Sequence, residues 1–204
     1  MISGISHPLF IVDGSFGTEV ADYLQIAVDS RVSQDVVKAT QIARGSVVVS
    51  IGDSPSFGFR DALDAECARR GIPSVGMHLT ATRIVCGPAV IPGRTACFAC
   101  YRARMYQHAA GLEGYDEESA NQGLEPGFGN HHVVLASGLL QLALRELRNG
   151  PFGLGATIRT ENLVSGALSQ ASVTAVNRCD RCGSRFREAR STGTVPDLHK
   201  AGAV

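Results

Sequence analysis

The chain has 204 residues and a mass of 21.5 kDa, which fits one domain that needs no disulfide framework to fold. Its composition, 44% hydrophobic and 19% charged, excludes wholesale disorder. Nineteen basic residues, all arginine except Lys38 and Lys200, balance nineteen acidic ones; a net charge of zero argues against a nucleic-acid protein that works by bulk charge.

Leu9-Phe10-Ile11-Val12 reads as a buried strand that meets a tight turn at Asp13-Gly14-Ser15-Phe16-Gly17. Thr18 to Ala27 then carries Val20, Ala21 and Leu24 on one helical face. Ser33 as N-cap, Asp35 in the first turn and Gly45 as stop predict a helix over Gln34–Arg44. Val47 to Ile51 is a β-branched strand, Gly58 to Arg70 a helix ended by Gly71, and Ile72 to Leu79 a third strand. This alternation over the first 80 residues predicts a parallel α/β sheet.

The second half has a different grain. Ile84 to Ile91 contains Gly87-Pro88 and ends at Pro92-Gly93, the mark of short strands and turns. Ala109 to Gly129, rich in glycine and acids, reads as a loop or crossover, and its acids as a solvated face. Asn130 caps a long helix, Val133 to Asn149, whose apolar residues cover most of the circumference. That pattern predicts a buried helix or one in an interface, and is compatible with a homodimer. Ala156–Thr160 and Ser172–Val176 are strand-like, and residues 184–204 read as a disordered tail after a domain spanning 1–183. No apolar run approaches the ~18–20 residues of a membrane helix, and Met1–Ile11 lacks the build of a secretory signal. The expected compartment is cytoplasmic, where thiols stay reduced.

Six cysteines carry the chemistry. Cys97-Phe98-Ala99-Cys100 and Cys179-Asp180-Arg181-Cys182 are two CxxC knuckles. Each presents two thiolates, and together they complete a tetrahedral four-sulfur shell suited to structural zinc. Such a closed shell leaves no open position for a catalytic water. The 78 residues between the knuckles exclude a compact zinc ribbon; a shared metal would pin the end of the domain to its middle. A redox CxxC pair and an iron–sulfur centre are the alternatives. Cys67, on an apolar helix face, and Cys86, in an apolar strand, read as packed thiols. Gly14 and Gly17 fill only part of a GxGxxG pattern, with Val12 where its first glycine belongs and Asp13 repelling phosphate. The adjacent pair His131-His132 reads as packing at a helix start, since neighbouring residues on a helix point apart.

Four stretches in order resemble the ThiF/MoeB superfamily of adenylating enzymes, related to ubiquitin-activating enzymes. They are Leu9–Leu24, Arg60–Cys67 followed by Gly71-Ile72-Pro73, Gly87-Pro88 through Cys100, and the helix from Asn130 followed by Cys179–Cys182. The resemblance implies a truncated Rossmann-like ThiF/MoeB-type α/β sheet with a two-knuckle zinc site. It also implies a catalytic aspartate in the register where Pro55 stands, with the nearest, Asp53, two residues early. The segment between Gly17 and Ile51 is too short for the family's second and third strands with their ATP-contacting residues. Adenylation is therefore expected to be lost, ATP binding is not expected, and no catalytic residue is assigned. The phrase GPxxxPGxTxCxxC at 87–100 resembles the ThiF-like partner proteins of azoline-forming cyclodehydratases in ribosomal peptide natural product biosynthesis. That resemblance implies a YcaO-type enzyme and a precursor peptide as partners. The winged-helix-like peptide domain common in that branch is expected to be missing, so precursor binding would have to occur elsewhere or through a partner, and an exposed strand edge is a physically plausible dock. The runner-up is an active adenylyltransferase of a peptide or carrier-protein C-terminus.

Overall fold

Short apolar runs separated by helices dictate the centre of one sheet. The computed structural model describes residues 8–27, 30–34, 47–109, 127–150 and 156–183. In chain order the elements are β1 (Leu9–Val12), α1 (Gly14–Tyr23), β2 (Arg31–Ser33), β3 (Val48–Gly52), α2 (Phe57–Arg70), β4 (Ser74–Leu79) and β5 (Arg83–Cys86). Then come α3 (Phe98–Ala109), α4 (Asn130–Asn149), β6 (Ala156–Asn162) and β7 (Leu168–Val173). The sheet order is β2-β1-β3-β4-β5-β6-β7. The first four strands are parallel, with Phe10 beside Val49 and Val49 beside Val75; β5, β6 and β7 continue antiparallel.

Side chains of the central strands alternate between two cores, as a period of two requires. Phe10, Val49, Ile51 and Val75 join Phe16, Val20 and Ala21 of α1 and Ala136, Leu140 and Leu144 of α4 on one face. Ile11 and Val48 meet Leu63 and Cys67 of α2 and Ile72 on the other. A third, smaller core lies where the sheet turns antiparallel: Val85, Ala156, Ile158 and Val173 gather around Ala96, Cys97, Cys100 and Cys182. The result is an α/β sandwich of three layers, matching the expected fold class.

Several expectations change in detail. The first helix begins at Gly14, absorbing the predicted glycine turn, and ends at Tyr23. A strand the sequence reading denied, β2, pairs with β1 through Phe10–Arg31 and Val12–Ser33, so one parallel strand does lie between α1 and β3. A twelve-residue helix, α3, starts inside the first knuckle. Only one side of α4 is buried: Val134, Leu135 and Leu142 are exposed. All but the first residue of the helix predicted over 34–44, most of the 109–129 loop and the tail 184–204 lie outside the described residues.

Candidate metal centre

The two knuckles meet. β5 and the turns after it bring Cys97 and Cys100 to the start of α3, and the chain leaving β7 returns Cys179 and Cys182 to the same point. The sulfur atoms lie 3.7 Å apart for Cys97–Cys100, 3.6 Å for Cys97–Cys179 and 3.5 Å for Cys100–Cys182. All four ligand atoms fall within 4.8 Å of one another. A tetrahedral zinc with Zn–S bonds of about 2.3 Å has sulfur–sulfur edges of about 3.8 Å. The observed separations fit that shell, and far exceed a disulfide bond of about 2.05 Å. The geometry defines a site able to hold a metal ion and leaves the ion's identity open.

The surroundings hold the ligands in place. Cys97, Cys100 and Cys182 are buried in the small core, and the Val176 backbone N–H donates to Cys100 Sγ at 3.3 Å. Hydrogen bonds from Cys182 and then Cys97, with the Val176 amide, hold the Cys100 thiol below its ordinary range. The non-ligand cysteines behave oppositely. Burial pushes Cys67 up to about 11 and Cys86 up to about 12, as expected of packed, inert thiols.

Two features absent from the sequence reading surround this centre. Asp64 of α2, fully buried, accepts the Phe98 backbone N–H at 3.2 Å and the Arg181 guanidinium at 2.7 Å. Arg181 also donates to Asp61 at 2.9 Å. Burial opposes the Arg181 charge, but the bonds to Asp61 and Asp64 outweigh it and hold the guanidinium above its ordinary range. Next to them Arg60, 4% exposed, lies over the Phe98 ring at 5.4 Å. No sequence pattern pairs residues 117 positions apart, so nothing in the sequence signals the Asp64–Arg181 contact.

At the C-terminal end of β1, the start of α1 is where a nucleotide phosphate would be expected in a Rossmann-like sheet. The Asp53 carboxylate occupies it. It accepts the backbone N–H groups of Ser15 (2.8 Å), Phe16 (2.8 Å) and Gly17 (3.3 Å), and the Ser15 hydroxyl (3.1 Å). Gly14, at φ +70°, permits this approach: a Cβ there would stand 2.2 Å from the carboxylate carbon. At the start of α4, the His131 and His132 rings do not point apart as expected; their centroids are 3.8 Å apart, and His132 Nδ1 accepts the Gly129 N–H at 3.0 Å.

The strand order, three layers and meeting knuckles define a mixed α/β fold built on one seven-stranded sheet, with a four-cysteine cluster beside it. Among solved structures, the chain resembles the E. coli microcin synthetase McbBCD complex (TM-score 0.64, 11% identity, 87% of this chain and 69% of that one). It also resembles the heterocyclase TruD (TM-score 0.55, 19% identity, 93% of this chain and 29% of that one) and E. coli MccB (TM-score 0.58, 14% identity, 88% and 66%). The chain thus spans less than a third of the heterocyclase chain it matches. No family model and no curated protein matches the sequence. Among the described residues, no helix is long and apolar enough to cross a membrane.

Proposed function

We propose that this chain is a noncatalytic, zinc-stabilised ThiF-like partner that binds or presents a ribosomal precursor peptide to a YcaO-type cyclodehydratase in the cytoplasm, in azoline or thiazole peptide biosynthesis. Fold likeness to a heterocyclase and to a microcin synthetase complex supports the biosynthetic setting. The noncatalytic part rests on Asp53. Its carboxylate engages the α1 amides that a phosphate would need, and a second anion beside it meets like-charge repulsion. Pro55, in the register of the family's catalytic acid, offers no replacement for Asp53.

Docking of a peptide is supported by β7. It is one of the two terminal strands of the described sheet, and its residues Leu168–Ser172 are exposed. An extended segment laid along that edge gains backbone hydrogen bonds without a preformed pocket. Co-expression of the chain with a YcaO-type enzyme and its precursor peptide is the direct test: the reading expects a stable complex and azoline formation that depends on the chain. ATP–pyrophosphate exchange separates the runner-up. Peptide-dependent exchange by the wild type, lost in Asp53→Ala, makes the chain an adenylyltransferase and removes the partner reading.

A further inference from the structure

We propose that Asp64 and Arg181 are positioning residues for the metal: they dock the second knuckle against α2 and hold both cysteine pairs at ligand spacing before the ion enters. This inference rests on the reading that the four cysteines bind a metal. The first observation is that one carboxylate touches both halves of the site. Asp64 receives the amide of Phe98, the residue directly after Cys97, and the guanidinium of Arg181, the residue directly before Cys182. The second is the setting. Asp64 is 0% exposed, and a buried carboxylate without its cation is costly, so Arg181 is strongly held. Asp61, one turn earlier on α2, adds the second carboxylate to the same Nη1 atom.

The chemistry of the sequence makes this arrangement useful. Seventy-eight residues lie between Cys100 and Cys179, so a metal joining them must otherwise offset the closure of a long loop. An ion pair between the knuckle and α2 closes that loop independently of the metal. The ion then binds a site already assembled, and more of its binding energy appears as affinity. Residues of this kind, outside the ligand set but orienting it, typically change metal affinity by about 10–100-fold when removed.

The test compares the full-length wild type with Arg181→Gln, Arg181→Lys and Asp64→Asn by zinc competition against a chromophoric chelator, with cobalt substitution to report the ligand set. The expected result is a loss of zinc affinity of about 10–100-fold in Arg181→Gln and Asp64→Asn, with partial recovery in Arg181→Lys. The four-thiolate cobalt spectrum should be unchanged in every variant. If Asp64→Asn fails to fold, Arg181→Gln, which keeps the buried carboxylate bonded to Phe98, decides the matter alone. Zinc affinity of Arg181→Gln within twofold of wild type overturns the proposal, even if its melting temperature falls, because that pattern marks a merely structural ion pair. A wild type that binds no zinc instead overturns the metal reading beneath it.

Discussion

At the scale of single residues, the chain places buried polar groups where they fix geometry. Asp53 is the clearest. It caps α1 from 36 to 38 residues away, replacing the local serine or aspartate cap that helices usually carry. Asp53→Ala removes an acceptor shared by three backbone amides and should cost about 1–2 kcal/mol, measured by chemical denaturation. An unchanged midpoint would show that water replaces the carboxylate without loss. His78 gives a pH signature. Burial, and then the Arg60 charge, push its imidazole down to about 4, against an ordinary value near 6.5. Because the folded state resists protonation, this site's stabilisation is complete above pH 6.5 and is lost as pH falls from 6.5 towards 4. The full loss is about 3 kcal/mol. Denaturation midpoints of wild type and His78→Gln should converge as the pH is lowered through that window, and a parallel decline in both would assign the slope to other groups.

At the scale of elements, what the sequence made legible follows from which forces are local. The apolar runs of β1, β3 and β4 and the glycine stop of α2 state their conformation within a few residues, and they are found where expected. β2 was missed because Arg31-Val32-Ser33 contains one apolar residue; its place at the sheet edge is set by backbone pairing to β1. The cysteine spacing announced a shared site. The Asp64 and Asp53 contacts that organise the chain's two ends span too much sequence to be read from it. α4 was correctly recognised as a long apolar helix, but periodicity alone does not say which residues meet the sheet. The structure divides them: Leu140 is fully buried, whereas Leu142 is 48% exposed. Leu140→Ala should therefore cost about 2–5 kcal/mol and Leu142→Glu less than about 0.5 kcal/mol in the isolated chain. Equal losses would mean that the helix buries both sides in solution. Gly87 marks another constraint between elements. At φ +126°, a Cβ there would stand 2.6 Å from the Thr157 carbonyl oxygen and 2.9 Å from the Ile158 Cα on β6. Gly87→Ala must strain its backbone or push β6 away, a loss of roughly 1–3 kcal/mol readable in the melting curve.

At the scale of the whole molecule, the three cores are unequal. The two flanking the parallel strands rest on large side chains, including Phe10, Phe16, Ile11 and Val48, and contain none of the four clustered cysteines. The third is built around the clustered cysteines, with Val85, Ala156, Ile158 and Val173 packed against them, and it joins β6 and β7 to the rest. Metal binding energy is folding energy only for the part that cannot fold without the metal. Chelation under reducing conditions should then open the molecule unevenly. Amide hydrogen exchange is expected to lose protection in the first turn of α3, in β7 and around 176–183, while β1, β3, β4 and the buried face of α4 stay protected. Cys179→Ser should reproduce the same map with zinc present, because three thiolates no longer close the shell. Uniform loss of protection would make the metal the keystone of the entire fold. No loss at all would mean that the small core and the Arg181 ion pairs hold the C-terminal segment unaided. On the proposed reading, an uneven map marks the parallel half as a rigid frame and the edge strand beside the cysteine cluster as the part that a partner or peptide would meet.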